Sequence, residues 1–141
     1  MQDRSSMKNV GVDYEKEFHD YVLPGTFSQP DKWTRVGSSL DRSLGGWSFD
    51  LPDYHIEGTD AWIELKTVSK QNKRTGNFSL SSGEYERFVK LIKHGNKIWF
   101  IVHVQGDKSC DFKTYDWKDC FFKDMAGWWL AIPKKTSEIP Y

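Results

Sequence analysis

No run of about 18 apolar residues occurs anywhere in this chain, so no transmembrane helix is expected. The opening residues, Met1-Gln2-Asp3-Arg4-Ser5-Ser6, are polar and do not form the apolar stretch of a secretory signal. Cysteine is scarce. Cys110 and Cys120 match neither a zinc spacing nor a redox motif, and they read as two reduced thiols of a cytoplasmic protein. The four histidines, His19, His55, His94 and His103, show no metal-ligand spacing. There is no Gly-x-Ser-x-Gly elbow, P-loop or dinucleotide fingerprint, so the chemistries those motifs carry find no support. No internal repeat is visible. Net charge is missing as well: 20 basic residues offset 20 acidic ones. Phosphate binding usually leaves a basic excess, so this balance departs from a simple nucleic-acid binder.

The charge is, however, unevenly spread. Five acids (Asp41, Asp50, Asp53, Glu57, Asp60) lie between residues 41 and 60, against Arg42 alone. Eight bases (Lys66, Lys70, Lys73, Arg74, Arg87, Lys90, Lys93, Lys97) lie between residues 62 and 97, against Glu64, Glu84 and Glu86. An acidic pocket beside a basic rim suits cleavage of a polyanion at a metal ion; solvated helix faces would give the same pattern. A length of 141 residues fits one domain with a real core. Residues 1–9 read as a flexible N-terminus. Residues 10–141 read as a single domain, with a core over about 10–104 and a C-terminal extension over 105–141.

Periodicity outlines the elements. Asp13 to Val22 reads as a helix with Tyr14, Phe18, Tyr21 and Val22 on its apolar stripe, stopped by Pro24-Gly25. A short strand is expected near Lys32–Val36, and another over Asp53–Ile56, with Pro52 at its start. Ser81 or Ser82 caps a helix with Tyr85, Phe88, Val89 and Ile92 at 3.6 spacing, and Gly95 ends it. Ile98 to Val104 is nearly all apolar and reads as a strand buried on both faces. Further on come a strand over Asp111–Trp117, a short helical piece near Lys118–Met125 and a last strand over Trp128–Ile132. Pro133-Lys134-Lys135 is expected to end the order. Trp117, Trp128 and Trp129 are expected in a core or a dimer contact rather than stacked on nucleic-acid bases.

The most informative stretch is Ala61-Trp62-Ile63-Glu64-Leu65-Lys66. As a strand it sends Glu64 and Lys66 to one face and Ile63 and Leu65 to the other. The tetrapeptide Glu57-Gly58-Thr59-Asp60 forms a turn between it and the preceding strand. A hairpin folded about Gly58-Thr59 pairs residues whose numbers sum to 117, which sets Asp53 opposite Glu64. Asp50 competes with Asp53, because a longer loop or a bulge at Pro52 would bring Asp50 to the same place.

An aspartate followed by Glu-x-Lys on the next strand resembles the PD-(D/E)xK nuclease superfamily. Here the pattern is Pro52-Asp53, then Glu64-Leu65-Lys66. Gly11-x-x-x-Glu15, Arg35-Val36-Gly37-Ser38-Ser39, Trp62 to Thr67 and Gly95 to Ile98 are similar to archaeal-type Holliday-junction resolvases and their phage relatives. The resemblance covers about residues 8–104. It implies an α/β, restriction-endonuclease-like mixed central sheet flanked by helices, in the order αβββαβ. It implies a metal-dependent DNA endonuclease that is structure-specific for branched DNA, dimeric, and active in the cytoplasm of a phage-infected host.

The resemblance also implies roles. Asp53 (or Asp50) and Glu64 would hold the metal, with the Leu65 carbonyl as a third ligand. Mg²⁺ is the expected ion, and Mn²⁺ would substitute, since all-oxygen sites with open water positions suit them. Lys66 would orient or deprotonate the attacking water or stabilise the developing charge. Glu15 would hold a second metal or a metal-bound water. Arg35 and Ser39, together with Lys70, Lys73 and Arg74 of the basic loop, would contact the DNA backbone. Two other readings stay open: a restriction-type or nicking nuclease on linear duplex, and a non-catalytic DNA- or protein-binding module on the same fold.

Overall fold

The computed structural model describes residues 14–36, 51–70, 75–106 and 111–141. Ser39, Asp50, Lys73, Arg74 and the N-terminal segment 1–9 lie outside the described residues, as does Cys110. A helical run over 14–26 (α1) leads into β1 (Trp33–Arg35), β2 (Tyr54–Ile56) and β3 (Ala61–Val68). Then follow β4 (Phe78–Ser81), α2 (Ser82–Lys93), β5 (Lys97–Val104), β6 (Phe112–Asp116), β7 (Cys120–Asp124) and β8 (Trp128–Pro133). The chain is thus a mixed α/β protein. Its five-stranded sheet has the order β1-β2-β3-β5-β6, and a three-stranded sheet has the order β4-β8-β7.

β3 and β5 run parallel at the centre, from Ala61 opposite Lys97 to Val68 opposite Val104, and every other pairing is antiparallel. A parallel pair needs a crossover, and here β4 and α2 supply it. Covered on both faces, β5 is buried from Ile98 to His103 and apolar as far as Val102. On one face Tyr14, Phe18, Val22 and Leu23 of α1 pack against Tyr54, Ile63, Leu65, Trp99 and Ile101. On the other, Phe88 of α2 and the small sheet pack on Ile98, Phe100 and Val102. Phe88 is fully buried, with its ring near those of Phe100 and Trp117. Phe88→Ala should cost about 3–5 kcal/mol in a urea unfolding experiment, the usual loss for a buried phenylalanine.

Several elements differ from the sequence expectation, each for a local reason. Tyr21 is not on the buried stripe; it is 77% exposed. Phe18–Val22 is a π-helical turn, with the Leu23 N–H donating to the Phe18 carbonyl, and its extra residue rotates the apolar stripe onto Val22 and Leu23. Pro24 does not stop the helix, which runs on to Thr26. The proline sits where the bonding changes from i−5 to i−4, so its missing N–H breaks little. Residues 118–125 are not helical beyond a single 3₁₀ turn, Trp117–Asp119, after which β7 follows. Phe121 there is exposed while Phe122 packs on Trp117 at 4.1 Å, the alternation of a strand.

Nor does order end at Pro133. The Ser137 N–H donates to the Thr114 carbonyl (3.0 Å), and the Gln29 N–H to the Tyr141 carbonyl (2.6 Å). The last residues therefore lie along the α1 side of the sheet. Trp129 stacks on Tyr85 at 3.8 Å and Trp117 on Phe100 at 6.0 Å, so both, half-buried, pack against the core, whereas Trp128 stays 40% exposed. No helix among the described residues is long and apolar enough to cross a membrane.

Candidate active site

The site begins with the turn of the β2–β3 hairpin. Gly58 takes a positive φ of 79°, which a residue with a Cβ adopts only under strain. Thr59 donates to the Ile56 carbonyl from both its N–H (3.1 Å) and its hydroxyl (2.8 Å), and its hydroxyl accepts from the Ala61 N–H (3.0 Å). His55 donates from Nε2 to the Thr59 carbonyl at 2.8 Å and packs against Trp62, so it braces the turn. The resulting register pairs Tyr54 with Ile63 and His55 with Trp62. Asp53 follows in the same register, opposite Glu64.

At that point side chains replace the strand ladder. The Asp53 N–H donates to Glu64 Oε1 at 3.2 Å, and the Leu65 N–H donates to Asp53 Oδ2 at 2.7 Å. The Asp53 carbonyl accepts from the Val36 N–H at 2.7 Å. Each carboxylate is thus oriented by a backbone donor of the other strand, and both are 4% exposed. Leu65 touches this cluster through its N–H. Pro52, buried just before, has no N–H to leave unpaired at the strand entrance.

Lys66 emerges on the Glu64 side. Its ammonium lies 3.4 Å from Glu64 Oε2 but closer to Glu84, at 3.0 Å from Oε1 and 3.1 Å from Oε2. Glu84 is the residue that sequence reasoning missed. It forms the capping box of α2: its N–H donates to Ser81 Oγ (3.1 Å), and its Oε1 accepts from the Ser81 N–H (2.9 Å). The pattern Ser81-x-x-Glu84 signals that box, but nothing local signals a second partner.

The electrostatics follow from crowding. Burial pushes the Asp53 carboxyl from 3.8 up to about 7, and the negative charge of Glu15 adds to the rise. Burial, then repulsion from Asp53, holds the Glu64 carboxyl well above the ordinary range. Burial pulls the Lys66 ammonium down, yet Glu84 and Glu64 outweigh it and keep its pKa above the ordinary 10.5. For Glu84 burial also works against ionisation. The Lys66 charge and the hydrogen bonds it accepts prevail and hold it at about 2.

The other expected residues fall around this centre. Glu15 is one residue past Tyr14, whose ring stacks on buried His103 at 4.0 Å, and it acts electrostatically on Asp53. Arg35 pairs with Tyr54 across β1 and β2, and its Nη2 is buried without a hydrogen-bond partner among the described residues. Lys70 is exposed just after β3, with its side chain over Gly106. Asp50, Ser39, Lys73 and Arg74 lie outside the described residues.

Among the described residues no three His, Cys, Asp or Glu side chains are placed to hold a metal ion together. The two that meet, Asp53 and Glu64, nevertheless fit Mg²⁺. This ion takes one or two carboxylates and keeps waters and phosphate oxygens for its other positions. The donors are hard oxygens, buried side by side, and the Asp53 charge repels that of Glu64, while the neighbouring Lys66 leans to Glu84.

No protein-family model and no curated protein matches this chain. Among solved structures it is similar to Hjc of Archaeoglobus fulgidus, a Holliday junction resolvase from an archaeal hyperthermophile. The identity is 14%, the match covers 86% of this chain and 83% of that one, and the TM-score is 0.48.

Proposed function

We propose that this chain is a metal-dependent deoxyribonuclease that hydrolyses phosphodiester bonds in branched DNA. One observation carries the reading: the hairpin register sets the buried Asp53 and Glu64 carboxyls against each other, with the Lys66 ammonium on the Glu64 side. Asp53 and Glu64 hold the ion, and the N–H groups of Leu65 and Asp53 orient them for it. When bound, Mg²⁺ or Mn²⁺ would polarise the phosphate and lower the pKa of a coordinated water. Lys66 acts as an ammonium rather than a base, because two carboxylates keep it protonated at neutral pH. It donates to a phosphate oxygen as negative charge grows there, the kind of fixed donor that lowers a barrier most.

Glu15 adds a further anionic group near Asp53, and the unpartnered Nη2 of Arg35 suits a phosphate oxygen. Lys70 is exposed to meet the backbone further along, and Lys73 and Arg74 follow it closely in sequence. Branched DNA is the expected substrate because the segments around Glu15 and Arg35 resemble those of junction resolvases. A junction offers two symmetric strands, which a homodimer would cut.

The test is cleavage of labelled four-way junction, flap, linear duplex and single strand in Mg²⁺ or Mn²⁺, beside Glu64→Ala. Junction cleavage that falls at least about 10³-fold in the variant is the expected result. Preference for linear duplex would move the protein to the restriction or nicking class. DNA bound but never cut would make it a binding module.

A further inference from the structure

Capping α2 does not require Glu84 to carry a charge, since a glutamine closes the same box. Yet both Glu84 oxygens face the Lys66 ammonium, at 3.0 and 3.1 Å, and the pair is largely buried, with side chains 16% and 14% exposed. Lys66 has a partner nearer in sequence, Glu64, on the same strand face, and approaches it only to 3.4 Å. An ammonium offers three donors. Two of them go to Glu84, so Glu64 Oε2 is left with the weakest of the three contacts. From this geometry we infer that Glu84 is a positioning residue, which draws Lys66 off Glu64 and so keeps the Glu64 carboxylate open to a divalent cation. The inference rests on the nuclease reading and extends it to a residue outside the Asp…Glu-x-Lys pattern. It makes the first turn of α2 part of the site, since the Ser81 backbone N–H holds the Glu84 carboxylate and that carboxylate holds Lys66.

Three variants, titrated with Mn²⁺ alone by calorimetry at pH 8, test it. Glu84→Gln keeps the capping oxygen and loses the charge, so Lys66 swings to Glu64, and Mn²⁺ affinity falls about tenfold or more. Ser81→Ala loses the cap and keeps the charge, so it melts at a lower temperature but binds Mn²⁺ as the parent chain does. Lys66→Met/Glu84→Gln removes the pair whole, leaves Glu64 unclaimed and restores parental affinity. Unchanged affinity in Glu84→Gln overturns the inference. So does an equal loss in Ser81→Ala, which would make the role structural, or an equal loss in the double variant, which would bypass Lys66. Should Glu84→Gln fail to fold, weak Mn²⁺ binding by the folded double variant is enough to overturn it. A parent chain that binds no Mn²⁺ overturns the nuclease reading itself, an outcome distinct from any of these.

Discussion

Lys66→Met should reduce single-turnover DNA cleavage about 10²–10³-fold, the usual loss when one fixed donor to a developing charge is removed. The same substitution should destabilise the metal-free chain. Glu84 lies below its ordinary 4.5, at about 2, with the Lys66 charge working against its burial. A carboxyl lowered on folding contributes stability above its unfolded pKa and loses it as pH falls through the folded one. That contribution amounts to about 3 kcal/mol at pH 8, and without Lys66 it loses its largest source. Breaking a buried pair from one side leaves its charge uncompensated, so the loss is real even though the intact pair is worth little against an apolar replacement. The deficit should narrow as the pH falls, because an orphaned Glu84 takes up a proton that the paired one refuses until about pH 2. Urea unfolding at pH 8 and pH 4 measures both limbs. Equal stability of the two chains at pH 8 would mean that Lys66 does not hold Glu84 in solution.

The part of this site that the sequence discloses is the part that a single hairpin determines. Once Gly58-Thr59 forms the turn, strand parity alone places Asp53 against Glu64 and Lys66 beside it. Tyr54 and His55 pair in the register that this turn sets, while the competing Asp50 lies outside the described residues. α2 and β5 are legible for similar reasons: a serine cap, a 3.6 period, a glycine stop and an unbroken apolar run. What the sequence hides is whatever depends on distant contacts. β4 has only four residues, Phe78–Ser81, too short for its alternation to stand out, and it becomes a strand because β8 pairs with it 50 residues later. The second sheet is hidden for the same reason. Glu84 looks like any capping glutamate, and its bond to Lys66 spans 18 residues that no local pattern links. The π-turn at Phe18–Val22 leaves no mark in residue types, so the exposure of Tyr21 follows only from the backbone.

Asp53→Asn should abolish Mn²⁺ binding and cleavage while making the metal-free protein more stable above neutral pH. Asp53 is moved from 3.8 to about 7 by burial and by Glu15, the opposite direction to Glu84. A carboxyl raised on folding costs nothing below its unfolded pKa, and its cost grows as pH climbs to the folded value. Above pH 7 that cost is on the order of 4 kcal/mol. An asparagine cannot ionise, keeps the shape, and still offers an oxygen to the Leu65 N–H, the 2.7 Å bond that ties the hairpin together. Some of the gain is lost to an amide that meets the Glu64 carboxyl, so a net gain of roughly 2 kcal/mol, about 5–10 °C in Tm, is expected at pH 8. At pH 4 the gain from removing an ionisable group is nearly gone, and the variant should melt at or below the parent chain. Adding Mn²⁺ at pH 8 should reverse the ranking, since a ligand that binds only the folded parent chain stabilises it by mass action and leaves the variant unmoved. The site's instability without metal and its affinity for metal then have one origin, two carboxylates buried closer together than their charges tolerate. A variant that melts below the parent chain at pH 8 in chelator would refute this, and would assign Asp53 to holding the hairpin instead.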